Sequence, residues 1–276
     1  MCPVHESGLA SLIRLSDNMK LKNFPVLPLF MMFASAPVWA DPVALESSAA
    51  VKTDGQWRGS FNAGLSAASG DTSSMAVNAA ANAQWANTTD KFVGSLTGLY
   101  GWTKDSDGTK STSNNLIKFD AEYDHDLTPK VYALGVFQAQ RNELQDLNFQ
   151  SSVGGGFGYH VVKTNPTVFD VYSGVSYNYE QYHSSSRNYP ELLMGENWVQ
   201  KIGPNTTFNE RIAVYPNLGY IGNVRTQLDA GLTTQITDHL NWKITVSNSY
   251  QNHPVSGVKK TNTIVMTSIG YNFGPK

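Results

Sequence analysis

Cysteine is nearly absent from this chain: the 276 residues hold one, Cys2. A disulfide scaffold is excluded, and a thiol nucleophile anywhere beyond the first residues is excluded with it. Charge is sparse, at 15% Asp, Glu, Lys and Arg, and the formal net charge is -2. No basic run or patch offers a phosphate backbone a footing, so nucleic acid is not an expected partner. The histidines show no metal-ligand spacing, and no cofactor is expected. Long apolar runs are also missing. The longest, Phe24 to Ala36, falls short of the roughly 20 residues a membrane helix needs.

That short run has another use. Met19-Lys20-Leu21-Lys22 is basic, Phe24 to Ala36 is apolar, and Val38-Trp39-Ala40 ends in a small residue. This is the order of a secretory signal, with cleavage expected between Ala40 and Asp41 and Met19 expected as the true start. Ala34-Ser35-Ala36 fits the same site rule, but Pro37 disfavours a cut there. Cys2 falls in the discarded segment, and no cysteine follows the apolar run as a lipoprotein would require. The expected organisation is a signal region at 1–40, a periplasmic linker at 41–56, a β-domain at 57–273 and a short tail at 274–276.

Period-two alternation is the main feature of the β-domain. Val77, Ala79, Ala81, Ala83 and Trp85 share one face, against Asn78, Asn82 and Gln84. Phe92, Gly94, Leu96, Gly98, Tyr100 and Trp102 share another. Leu228, Ala230, Leu232 and Thr234 alternate with Gln227, Asp229, Thr233 and Gln235, and Leu240, Trp242, Ile244 and Val246 with Asn241, Lys243 and Thr245. These runs are long enough to cross a bilayer at a tilt, where most soluble strands are shorter. A mean hydropathy of -0.30 does not oppose this, because a barrel strand shows lipid only every second residue.

Turns between the runs predict strands near 57–69, 73–85, 91–103, 115–127, 130–141, 148–162, 167–181, 191–203, 206–216, 223–236, 240–250 and 261–273. The expected fold is all-β, a closed antiparallel transmembrane barrel of about twelve strands. The fifth, eighth and ninth alternate poorly, which leaves ten to fourteen open. Every second connection is tight, such as Thr128-Pro129 and Thr237-Asp238-His239. Most of those between are expected to be long: 104–114, 142–147, 182–190, 217–222 and 251–260, with 70–72 a short exception. Short turns on the side of both termini and long loops opposite predict an outer-membrane orientation with periplasmic ends. Trp57, Trp85, Phe92, Trp242 and Phe273 would form one aromatic girdle, and Tyr100, Trp102, Tyr179 and Tyr250 the other. Expected partners are outer-membrane lipids and the barrel assembly machinery, which would read the alternating ending Ile269 to Phe273; the chain is expected to be a monomer.

Trp57-Arg58-Gly59, Gly64-Leu65-Ser66 and Ser69-Gly70-Asp71-Thr72 resemble the opening of the YdiY-like family of salt-induced outer-membrane proteins. Gly156-Phe157-Gly158-Tyr159 is similar to its Gly-x-Gly-Tyr strand. The ending, with Ser249-Tyr250, Pro254, Lys260-Thr261-Asn262-Thr263 and Tyr271-Asn272-Phe273, is similar to its last hairpin. Asp71 and Asn262 depart from the pattern, standing where the family has Asn and Asp. The resemblance implies a barrel linked to salt or osmotic stress and supplies no catalytic residues.

With apolar faces outward, Lys118, Asp120, Glu122, Asp124, Arg211, Arg225, Asp229 and Lys243 would point into the lumen. They would either line a water path that selects by charge or pair across the lumen and plug it. His183-Ser184-Ser185, with Asn188 nearby, has the His-x-Ser order of an outer-membrane phospholipase. Three serines and no residue to orient the histidine make a polar loop the simpler reading. Asp105-Ser106-Asp107-Gly108 resembles half a calcium loop, but its glycine comes too early and no Glu closes it. Gly154-Gly155-Gly156 precedes no helix, so it suits strand curvature better than a phosphate cradle. A soluble barrel around an apolar ligand is the remaining class, and it would reverse the two faces.

Overall fold

The protein was analysed as a computed structural model, which describes residues 52–68, 74–104, 110–143, 147–220, 222–254 and 259–275. The expected signal with its Ala40–Asp41 cleavage site, most of the linker, the turn at 70–72 and the 105–108 motif lie outside the described residues.

Among the described residues twelve strands follow one another: β1 (Arg58–Ala68), β2 (Ser74–Ala86), β3 (Asp90–Lys104), β4 (Lys110–Asp126), β5 (Val131–Asn142), β6 (Leu147–Lys163), β7 (Thr167–Tyr182), β8 (Ser186–Ile202), β9 (Thr206–Pro216), β10 (Val224–Gln235), β11 (Leu240–Gln251) and β12 (Thr261–Phe273). Each pairs antiparallel with its sequence neighbours, and β1 pairs with β12 from Gly59↔Phe273 to Ala68↔Ile264, closing the sheet. Closure leaves no edge whose N–H and C=O groups would need water.

Alternation then sorts the side chains to two faces. Phe61, Leu65, Leu96, Ile117, Phe157, Val175 and Ile269 are exposed, together with other large apolar residues from all around the barrel. Soluble monomers rarely expose contiguous apolar patches beyond a few hundred Å². The buried face is the polar one: Lys118, Asp120, Asp170, Asn178, Glu180 and Glu191 are each 2% exposed or less. Apolar outside and polar inside is the arrangement of a transmembrane barrel and the reverse of a soluble one.

Two strand starts differ from the sequence reading. β4 begins at Lys110 and β8 at Ser186, each about five residues earlier than expected, so the connection expected at 182–190 is a turn at 183–185. Ser186 to Pro190 pairs in register with Tyr177 to Gln181, continuing the sheet with Ser186 and Asn188 outward and Tyr189 inward, so the outward face there is polar. Loop length is therefore less segregated by side than the sequence suggested; 217–223 and 252–260 remain the longer connections.

Candidate functional site

The lumen is where the sequence concentrates its polar side chains. Two tyrosines shape its wall. Tyr132 on β5 faces Gly158 on β6, and a Cβ at Gly158 would lie 2.0 Å from the Tyr132 ring. Tyr172 on β7 faces Gly195 on β8 in the same way, at 2.5 Å. Each ring lies across a neighbouring strand because that strand has no side chain there. Tyr132, Leu134, Tyr172, Leu193, Ala213 and Tyr215 pack into one apolar cluster on this wall, and Ala76, Leu99, Leu116, Ile264 and Met266 form a second elsewhere.

Charged groups are threaded between these clusters. Arg211 on β9 reaches Glu122 on β4 at 3.2 Å, although four strands separate them around the wall. Its Nε also donates to the Tyr172 hydroxyl at 3.3 Å. Lys118 meets Asp120 at 3.5 Å, and the Ser247 hydroxyl donates to Asp229. Toward the end carrying the termini, Lys91 pairs with Asp124 at 2.8 Å. Beside it, His160 stacks on Tyr132 and sets one ring nitrogen 2.7 Å from Asp170 and the other 3.1 Å from Asp126. At the opposite end Arg225 pairs with Glu191 at 2.9 Å and lies 3.8 Å over the Tyr215 ring. There too Glu180 accepts from Arg187, Asn178, Tyr182 and Tyr189.

Seven of the eight charged positions read from the sequence (Lys118, Asp120, Glu122, Asp124, Arg211, Arg225 and Lys243) are buried on this inner face, and Asp229 is half-buried there. The structure joins Arg211 to Glu122 and Lys118 to Asp120 and leaves Arg225 with Glu191, a residue the sequence did not single out. His160, Asp170, Glu180 and the lumen tyrosines were also missed; their contacts depend on the exact registers of β5 to β8, which place His160 opposite Asp170 and Glu180 opposite Arg187.

Around β1, β2 and β3 the wall changes character. Ser60, Asn62, Asn78, Asn82, Ser95 and Thr97 are small, neutral and buried. Below them a cavity of about 190 Å³ opens at the end with the termini, lined by residues including Arg58, Gln84, Gln235, Asp238, His239, Asn241 and Asn272. Arg58 is held there by Asp54, at 2.8 and 2.5 Å, and donates to the Pro275 carbonyl at 2.9 Å. The guanidinium's hydrogen bonds hold the Asp54 carboxyl down at about 2, below the ordinary Asp range.

The outer face carries the aromatic bands. Trp57 packs on Trp85 and Phe92, with ring centroids 6.4 and 5.8 Å apart, while Trp242 and Phe273 are exposed at the same end. Tyr100 and Trp102 pack 6.4 Å apart at the other end, where Tyr179 and Tyr250 are also exposed. Trp198 and Phe208, 5.2 Å apart, add to the first band. Glu196 on β8 and Glu210 on β9 also lie on this outward face. Glu210 stands opposite Trp198 and Ala230, and Glu196 opposite Val171 and Ile212. Glu210 is nonetheless only 7% exposed, so its apolar neighbours cover it.

His183, Ser184 and Ser185 are exposed in the turn between β7 and β8. Among the described residues no cluster of three or more His, Cys, Asp or Glu is arranged to hold a metal ion.

A family model described as "Protein of unknown function, DUF481" matches residues 61–273. No curated protein matches the sequence. Among solved structures, the translocator domain of the autotransporter NalP from Neisseria meningitidis is similar at 13% identity and a TM-score of 0.48, over 80% of this chain and 90% of that one. The NanC porin is similar at 12% identity and a TM-score of 0.46, over 79% and 98%. The β-domain of the Bordetella autotransporter BrkA is similar at 12% identity and a TM-score of 0.40, over 80% and 100%. Likeness at this level decides nothing about activity.

Proposed function

The chain belongs to the DUF481 family of proteins of unknown function, and on that footing we propose that it is a non-enzymatic outer-membrane barrel whose lumen is closed by its own side chains. The apolar outer face with two aromatic bands supports the membrane assignment, and the exported signal read at 1–40 supports the outer membrane. One observation carries the closure: the Arg211–Glu122 pair bridges walls four strands apart, in a lumen where Lys118, Asp120 and Glu122 are almost fully buried. A water-filled pore of this width would leave such charges solvated.

The barrel then serves the envelope structurally, with lipids and the assembly machinery as its partners and the monomer as its working state. The YdiY-like resemblance supports a link to salt or osmotic stress, tested by whether its expression rises after a salt upshift. The closed reading predicts no current steps from purified protein in a planar bilayer. Reproducible steps would overturn it in favour of a small-solute channel, the reading favoured by the neutral, amide-lined wall beside β1, β2 and β3.

A further inference from the structure

We infer that Lys243, on the inner face of β11, holds a small monovalent anion of halide size in the lumen. This inference goes beyond the closed-barrel reading and does not depend on conduction.

The other lumen cations are matched to carboxylates. Lys91 has Asp124, Lys118 has Asp120, Arg187 has Glu180, Arg211 has Glu122 and Arg225 has Glu191. Lys243 is 4% exposed, yet among the described residues its side chain makes no hydrogen bond or ion pair. The surrounding wall explains this, because β1, β2, β11 and β12 contain no Asp or Glu. Asp229, the one acid of β10, stands opposite Arg211 and Ser247 and accepts from the Ser247 hydroxyl. An ammonium withdrawn from bulk water is strongly disfavoured unless a counter-charge or fixed dipoles meet it.

The ammonium can be reached. Lys118 Nζ is sealed from solvent, whereas Lys243 Nζ is not. The cavity at the end carrying the termini extends to Thr233, the residue directly opposite Lys243 on β10.

Hydroxyl groups gather at the same level. Thr233 and Ser268 flank Lys243 in register on β10 and β12. A Cβ at Gly231 would lie 3.8 Å from Lys243 Cε and 3.7 Å from Thr245 Oγ1. The lysine stem and the threonine hydroxyl therefore converge over a residue that has no side chain. None of these three hydroxyls has a hydrogen bond among the described residues. Each can turn its proton toward an anion beside the ammonium. One unmatched positive charge is balanced by one negative charge, which makes the ligand monovalent.

The test uses the full barrel in non-ionic detergent micelles and follows chloride NMR line width as bromide, acetate or phosphate is added. Saturable broadening, displaced best by bromide, is expected in the wild type. Lys243→Met should weaken binding by about tenfold, as the loss of a charged hydrogen-bond donor implies. That change removes a charge with no protein partner, and heat-modifiable gel migration confirms that the variant is folded. If Lys243→Met does not fold, Thr245→Val decides, with an expected loss of about threefold to tenfold. Absence of saturable broadening, undiminished binding in the deciding variant, or stronger displacement by acetate or phosphate than by bromide would each overturn the assignment.

Discussion

Replacing Arg211 with Ala removes a guanidinium that joins β9 to β4 across the lumen. In the wild-type barrel its Nη2 lies 3.2 Å from Glu122, its Nε 3.3 Å from the Tyr172 hydroxyl, and its guanidinium carbon 5.9 Å from the Tyr172 ring. Breaking one side of a buried pair costs about 3–5 kcal/mol, because the other charge stays behind in a poor environment. Polar neighbours and entering water would partly resolvate Glu122 here, so the lower end applies. About 3 kcal/mol is a shift of roughly a hundredfold in the folding equilibrium. Urea titration of folding into lipid vesicles measures it, and planar-bilayer recording of the same protein asks whether the passage has opened. The variant is expected to fold, to lose stability by that amount and to show current steps where the wild type shows none. A double-mutant cycle with Glu122→Gln should give a coupling of about 1–3 kcal/mol. Wild-type stability, a silent bilayer and additive effects together would refute the bridge as the closing element.

Other positions give sharper local outcomes. Gly158→Ala drives a methyl into the Tyr132 ring and should destabilise the barrel by about 1–3 kcal/mol, with Gly158→Ala/Tyr132→Leu recovering part of the loss in the same titration. Glu210→Leu replaces a covered carboxylate on the lipid face and is expected to stabilise the barrel by about 1 kcal/mol, whereas destabilisation would show that the carboxylate has a partner there. The Asp54–Arg58 clasp should be complete above the ordinary Asp value of about 3.9 and disappear as pH falls through about 2, because its carboxyl titrates at about 2 in the folded protein. Limited proteolysis near residue 54 across that range, compared with Asp54→Asn, reads the release.

Much of the architecture was legible because lipid and water impose a strict two-residue period on each strand. The order of the strands and the inward set from Lys118 to Asp124 followed from that period and the turn residues between runs, although β4 and β8 begin earlier than read. The eighth and ninth strands read poorly for a physical reason: Glu196 and Glu210 break the apolar face that the period depends on. Ser186 to Pro190 read as loop because their outward positions carry Ser186, Asn188 and Pro190 and not apolar side chains. The lumen contacts were beyond the sequence for a different reason. Arg211 finds Glu122 only once the sheet curls round so that β9 faces β4 across the lumen, whereas His160 and Asp170 meet as direct register partners of β6 and β7, a pairing that the strand reading did not resolve to single residues.

The central claim is that this chain is an integral outer-membrane barrel with its apolar face toward lipid. Separation of inner and outer membranes followed by a carbonate wash tests it most directly. The protein is expected to stay in the washed outer-membrane fraction and to migrate faster on gels unheated than boiled. Recovery in the periplasmic supernatant, with no heat-modifiable form, would contradict the account.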